Sequence, residues 1–162
     1  FDPTHTGGDS LIAGSSYHWN EVAAGYSSDL RKPLNIVLSV LYGGFYNGSR
    51  FSVEGQLNYR IQPYASLALT GAYNSIVLPE PYNSANLLLL GPKVDLTFTD
   101  KLFLTTFVQY NNQIDNLNLN VRFQYRFAPV SDFYLVYTDN TWPENFRNKS
   151  RGVVAKLSYW FN

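Results

Sequence analysis

The 162-residue chain contains neither cysteine nor methionine. Without cysteine it has no disulfide framework and no thiolate metal site. Methionine initiates encoded chains, so its absence leads to the expectation of a processed or incomplete chain. Charge is sparse: 12 Lys and Arg against 12 Asp and Glu, 15% of residues together, where soluble domains carry about 25%. A nucleic-acid binder needs a basic excess, and there is none. No run of eighteen apolar residues occurs, so no transmembrane helix is encoded. Aromatics, by contrast, make up 17%, with 13 Tyr and 11 Phe, and asparagine occurs sixteen times. That is too much apolar surface for a disordered chain, carried by mediocre helix formers. The composition fits β-structure with one greasy face and one polar, uncharged face.

Period-two alternation is the dominant pattern, and it is the signature of strands. Over 117–127 the odd positions are Leu117, Leu119, Val121, Phe123, Tyr125 and Phe127; the even ones are Asn118, Asn120, Arg122, Gln124 and Arg126. Residues 51–62, 91–98 and 151–161 alternate in the same way. Turn signals divide the chain into nine predicted strands at 17–28, 34–46, 49–61, 65–75, 87–98, 102–112, 117–127, 132–139 and 151–161. Lengths near ten suit tilted membrane strands of about 9–11 residues and exceed the five or six usual in globular sheets.

The predicted connections alternate too. Tight turns at 29–33, 62–64, 99–101 and 128–131 fall at one end; 46–49, 76–86, 113–116 and 140–150 fall at the other, two of them long. Short turns facing longer loops is the layout of outer-membrane barrels. Tyr17, Trp19, Tyr42, Tyr73, Tyr110 and Tyr137 fall near the loop ends. Tyr26, Tyr59, Phe98, Phe127, Phe133, Tyr159 and Phe161 fall near the turn ends, with aliphatic residues such as Val22, Leu38, Leu96 and Leu119 between. Such a pattern corresponds to paired aromatic girdles; Phe107 and Phe123, both mid-strand, depart from it. A soluble barrel would turn a Lys- and Glu-rich face to water, whereas this polar face is mostly Asn, Gln, Ser and Thr. The expected fold is therefore all-β: one domain over 1–162, an antiparallel transmembrane β-barrel of about nine visible strands, the C-terminal part of a larger barrel. Residues 1–16 are expected to form an extracellular loop leading into the first strand. Bacterial single-chain barrels have even strand numbers, so nine implies further strands from a missing N-terminal part or from partner chains.

The chain ends Leu157-Ser-Tyr159-Trp-Phe161-Asn162. Alternating aromatics with a near-terminal Phe resemble the signal read by the outer-membrane assembly machinery, although Asn162 follows the last aromatic. Residues 120–140, NVRFQYRFAPVSDFYLVYTDN, followed by RGVVAKLSYWF at 151–161, resemble a family of large Bacteroidota surface proteins. These carry an N-terminal module similar to family-9 carbohydrate-binding domains and end in a C-terminal barrel; the likeness is best over 102–162. It implies an outer-membrane location among lipid and lipopolysaccharide. The family has no defined biochemical role, so no catalytic residue carries over. Asp9-Ser10-Leu11 resembles the short Bacteroidota O-glycosylation motif, which makes Ser10 a possible glycosylation site.

Catalytic chemistry is thinly represented. His18 with Ser15 or Ser16 could make a rim hydrolase pair, but neighbours one to three apart in extended chain point unhelpfully. Asp2, His5 and Asp9 could cluster around calcium, but nothing fixes their geometry, and no metal or other cofactor is expected. The predicted register turns Glu21, Glu54, Arg60, Lys93, Asp95, Arg122, Arg126 and Lys156 inward, five cations against three anions. That set reads either as an anion-favouring lumen or as an interior whose charges hold one another. Trp142 and Phe146 mark the last outer loop as a contact surface for sugars or a partner, unless Trp142 folds down as an anchor. The expected function is a non-enzymatic wall, scaffold or pore of a cell-surface assembly. A glycan or nutrient uptake barrel is the second reading, and a rim-located hydrolase the third.

Overall fold

The computed structural model describes Asp2, Thr4 and residues 7–161. Nine strands form one sheet: β1 (Glu21–Ser27), β2 (Leu34–Phe45), β3 (Gly48–Ile61), β4 (Ala65–Val77), β5 (Ala85–Thr97), β6 (Leu102–Asn111), β7 (Asn116–Ala128), β8 (Ser131–Thr141) and β9 (Asn148–Ser158). Each pairs antiparallel with the next, in the order β1 to β9. The first strand is shorter than predicted. Residues 17–20 precede it as irregular chain, and Gly44 N–H donates to the Asn20 carbonyl (3.0 Å) along the end of β2. Residues 159–161 likewise lie beyond the last strand, where Trp160 N–H donates to the hydroxyl of the fully buried Ser131 (3.1 Å).

Directly paired residues share a face, so the ladder carries one alternation through the whole sheet. The odd residues of β7 lie level with Val108 and Leu104 on β6 and with Leu135 and Phe133 on β8. Following the pairs outward reaches Leu96, Leu69, Leu57, Ile36, Val40 and Val22 on one side and Val153 and Leu157 on the other. The large exposed hydrophobic residues within strands all lie on this face, save Val37, Leu89 and Val154. Tyr42, Tyr73, Tyr110 and Tyr137 stand near one end of it, and Tyr26, Tyr59, Tyr125 and Phe133 near the other. On β3, Phe51 and Tyr59 are eight residues apart, about 27 Å along a strand.

The opposite face carries Asn35, Ser52, Ile76 and Ala85, all buried, whereas buried Asp139 lies on the apolar face. Among the described residues, strands pack substantially only against their neighbours in the sheet, so no second layer of strands covers either side. The accessible surface is 10947 Å² for 18.4 kDa, whereas a compact protein of that mass exposes about 8,200 Å². A two-layer soluble sandwich would bury one whole face; here the apolar face stays open.

The ends differ less than the sequence suggests. The connections at one end are 28–33, 62–64, 98–101 and 129–130; at the other they are 46–47, 78–84, 112–115 and 142–147. The two long predicted loops shorten because pairing continues into them, through Ile76 to Ala85 and through Asn140 to Ser150. In the 28–33 turn the Asp29 carboxylate accepts from the Arg31 guanidinium (3.1 and 3.2 Å) and from the Arg31 N–H (3.0 Å). Those bonds hold its carboxyl below the usual carboxylate range.

Phe107, one of the two aromatics that break the predicted girdle, lies on the polar face beside Gly91. A Cβ at Gly91 would stand 2.6 Å from Thr70 Oγ1 and 3.3 Å from the Phe107 ring. Thr70 in turn donates to the Gly91 carbonyl (3.1 Å). Glycine inside a strand marks such a close approach. Replacing Gly91 with Val should force β4 and β6 apart and cost about 1–3 kcal/mol. A fall in the urea midpoint at unchanged m-value is the expected readout; an unchanged midpoint would show that the site has room.

Candidate functional site

The polar face is a net of cross-strand side-chain bonds. Its amides come from the even positions of β7. Asn116 and Asn118 both donate to Asn140 Oδ1 (3.2 and 2.8 Å), and Asn140 passes a bond to Ser150 on β9 (2.9 Å). Asn120 donates to Thr138 (2.9 Å) and Gln124 to Asp132 (2.9 Å) and to the Tyr134 hydroxyl (3.3 Å). The other half of the sheet repeats this, with Asn58 donating to Asn35 (2.9 Å) and Ser52 to Asn74 (2.6 Å) across strands, and Gln56 to Asn58 (3.1 Å) along β3. Amides suit the task because each offers both donors and an acceptor.

All eight charged residues predicted to point inward lie on this one face. Glu21 pairs with Arg50 (2.7 Å), Lys93 with Asp95 (2.8 Å) and Arg126 with Asp132 (3.3 Å). Arg50 and Asp132 are partners the alternation had not singled out; adding them gives six cations against four anions, so the excess stays at +2. Arg60 donates to the Leu30 and Lys32 carbonyls (2.6 and 2.9 Å), tying the 28–33 turn to β3. Arg122 reaches Thr105 (3.4 Å), which donates to Asp95 (2.8 Å). Glu54 and Lys156 make no ion pair among the described residues.

A second polar cluster sits where the alternation predicts only apolar side chains. Asp139 on β8 and Arg151 on β9 are direct partners on the apolar face. Asp139 Oδ2 accepts from Arg151 Nε (3.0 Å), Arg151 Nη2 (2.7 Å) and the Tyr137 hydroxyl (2.7 Å), and Oδ1 accepts from Asn148 (2.7 Å). Four donors on one carboxylate make a charge tolerable beside apolar surroundings. Leu117, Leu119, Thr141 and Phe146 complete an open cleft of about 270 Å³ around the pair.

The last loop, 142–147, lies over this cleft. Lys149 stacks its ammonium 3.6 Å from the Trp142 ring centre and donates to the carbonyls of Ile114 (3.0 Å) and Asp115 (2.6 Å). Trp142 is therefore folded against Lys149, and the loop is strapped to the 112–115 turn. Phe146, 71% exposed and at φ 53°, is left projecting. At the opposite end Tyr159 stacks on Phe127 (6.3 Å) and meets Phe161 edge-on (4.5 Å), while Leu157 stays exposed on the apolar face.

The remaining sequence candidates stay apart. His18 is exposed and makes no hydrogen bond with Ser15 or Ser16 among the described residues. Asp2 caps its own loop, accepting from Thr4 N–H (2.9 Å), Thr4 Oγ1 (2.7 Å) and Gly7 N–H (2.8 Å). His5 lies outside the described residues, and Ser10 is exposed. No group of three potential metal ligands occurs among the described residues. Compared with known proteins, the chain matches no family model and no curated sequence.

Asp139 and Arg151 should couple energetically. Asp139→Ala strands the guanidinium, and Arg151→Ala strands the carboxylate, so the double variant should lose less stability than the two single losses added together. Additive losses in a double-mutant cycle would show that the pair does not act as a unit.

Proposed function

We propose that this chain is a non-enzymatic wall segment of an outer-membrane β-barrel, serving as scaffold or pore within a cell-surface assembly. One observation carries the reading. A single-layered sheet leaves one face apolar and uncovered, while the other is hydrogen-bonded side chain to side chain. In lipid every backbone group must be satisfied within the structure, which restricts spanning β-structure to continuous ladders. An apolar band between aromatic residues is the exterior such a wall needs. The likeness of 120–140 and 151–161 to Bacteroidota C-terminal barrel domains supports the same location. The alternating terminal residues Leu157, Tyr159 and Phe161 then act as the assembly signal, and lipid with lipopolysaccharide covers the apolar face.

The net on the polar face favours scaffold over open pore, because most charges there already hold a partner. The +2 excess and the exposed Phe146 favour the second reading, a barrel that binds or passes a glycan or other nutrient. Conductance of the purified protein in planar bilayers separates them. A scaffold passes no current, and a pore with this lining passes anions preferentially.

The membrane reading itself is tested on β7. Val121→Arg places a charge on the apolar face near mid-strand and should cost about 2–4 kcal/mol when the protein folds into bilayers. Asn120→Arg, on the polar face, should be far milder. Equal costs at the two positions would contradict the assignment of faces.

A further inference from the structure

The two margins of the sheet are chemically unfinished. Among the described residues, β1 pairs only with β2, and β9 only with β8. All seven residues of β1 are exposed, and on β9 only Lys149 and Ser158 are even half-covered, whereas every residue of β6 is half-buried. Along a free margin every second residue turns its N–H and C=O outward, and lipid offers these groups nothing.

Strand parity limits what can complete them. Eight antiparallel steps separate β1 from β9, so the two run in the same direction. Joining them directly would make a parallel seam. A second copy inserted in the same orientation brings its β9 to β1 parallel again. A two-fold axis lying in the membrane plane would make β1 meet β1 antiparallel, but only by turning one copy upside down. Any closure that keeps antiparallel pairing throughout, with no copy inverted in the membrane, therefore adds an odd number of strands that are not a repeat of this sheet.

Resting on the barrel reading above, we infer that β1 and β9 are bridged by an odd number of further antiparallel transmembrane strands, from polypeptide other than these 162 residues. The margins state the chemistry of those strands. Against β1, the polar face offers only Ala23, Gly25 and Ser27 beyond Glu21, which leaves room for larger polar side chains on the neighbour. The apolar face offers Val22, Ala24 and Tyr26, so the neighbour alternates apolar and polar in step. Against β9, Lys156 stands on the polar face of the margin with no ion pair among the described residues. A carboxylate or amide on the adjoining strand at that level completes it.

Photo-crosslinking in the native membrane of cells making the full-length protein tests this. A benzophenone side chain replaces Ala24 in one variant and Ala155 in another, and adducts are identified by mass spectrometry after irradiation. The expected result is that both margins yield adducts with peptides outside these 162 residues. An adduct joining β1 to β9, within one molecule or between copies, overturns the inference, as does the absence of protein adducts at both margins. Alkaline carbonate extraction of the same membranes keeps the two readings distinct. Release of the protein would overturn the barrel reading itself, whereas retention with a β1–β9 adduct overturns only the bridging strands.

Discussion

Everything in this molecule hangs on the register of eight antiparallel pairings. The pleat assigns each residue to a face, and the pairing transmits that assignment to the next strand. A slip of one residue at any seam would turn every later side chain over. Pairing lapses at Gly91 and Pro92 without a change of phase, and two register shifts occur, between Arg126 and Ala128 and between Asn140 and Thr141. Both fall at the ends of strands, where a change of phase leaves the middle of each face unmixed.

The abundance of asparagine and glutamine follows from this constraint. An apolar face that packs on nothing within the chain contributes little to choosing the register. The polar face does the choosing, because Asn118 meets Asn140, Asn120 meets Thr138 and Gln124 meets Asp132 only when the strands are in step. Lys or Glu in those half-buried places would have needed counter-charges at every level. The amides give matched bonds without charge, which is why the chain is polar yet nearly uncharged.

The faces were legible in the sequence because alternation is a local property. Every predicted inward charge falls on one side of the sheet, and all nine strands stand near their predicted positions. Non-local relations were not legible. Asp139 closes the predicted segment 132–139 and Arg151 opens 151–161, and nothing in either segment shows that β8–β9 pairing sets one against the other. Phe107 looked like a misplaced aromatic until β5 brought Gly91 beside it. The length of the loops was overread because Ile76, Ala85, Asn140 and Ser150 continue the ladder beyond the last clear alternation.

The central claim is that one face of this sheet meets lipid and the other meets water. These 162 residues contain no cysteine, so single cysteines can be placed along β7 at positions 118 to 125 and treated in intact membranes with a small, water-soluble thiol reagent. The account predicts labelling at 118, 120, 122 and 124 and protection at 119, 121, 123 and 125. Uniform labelling, or protection of the even positions instead, would contradict it.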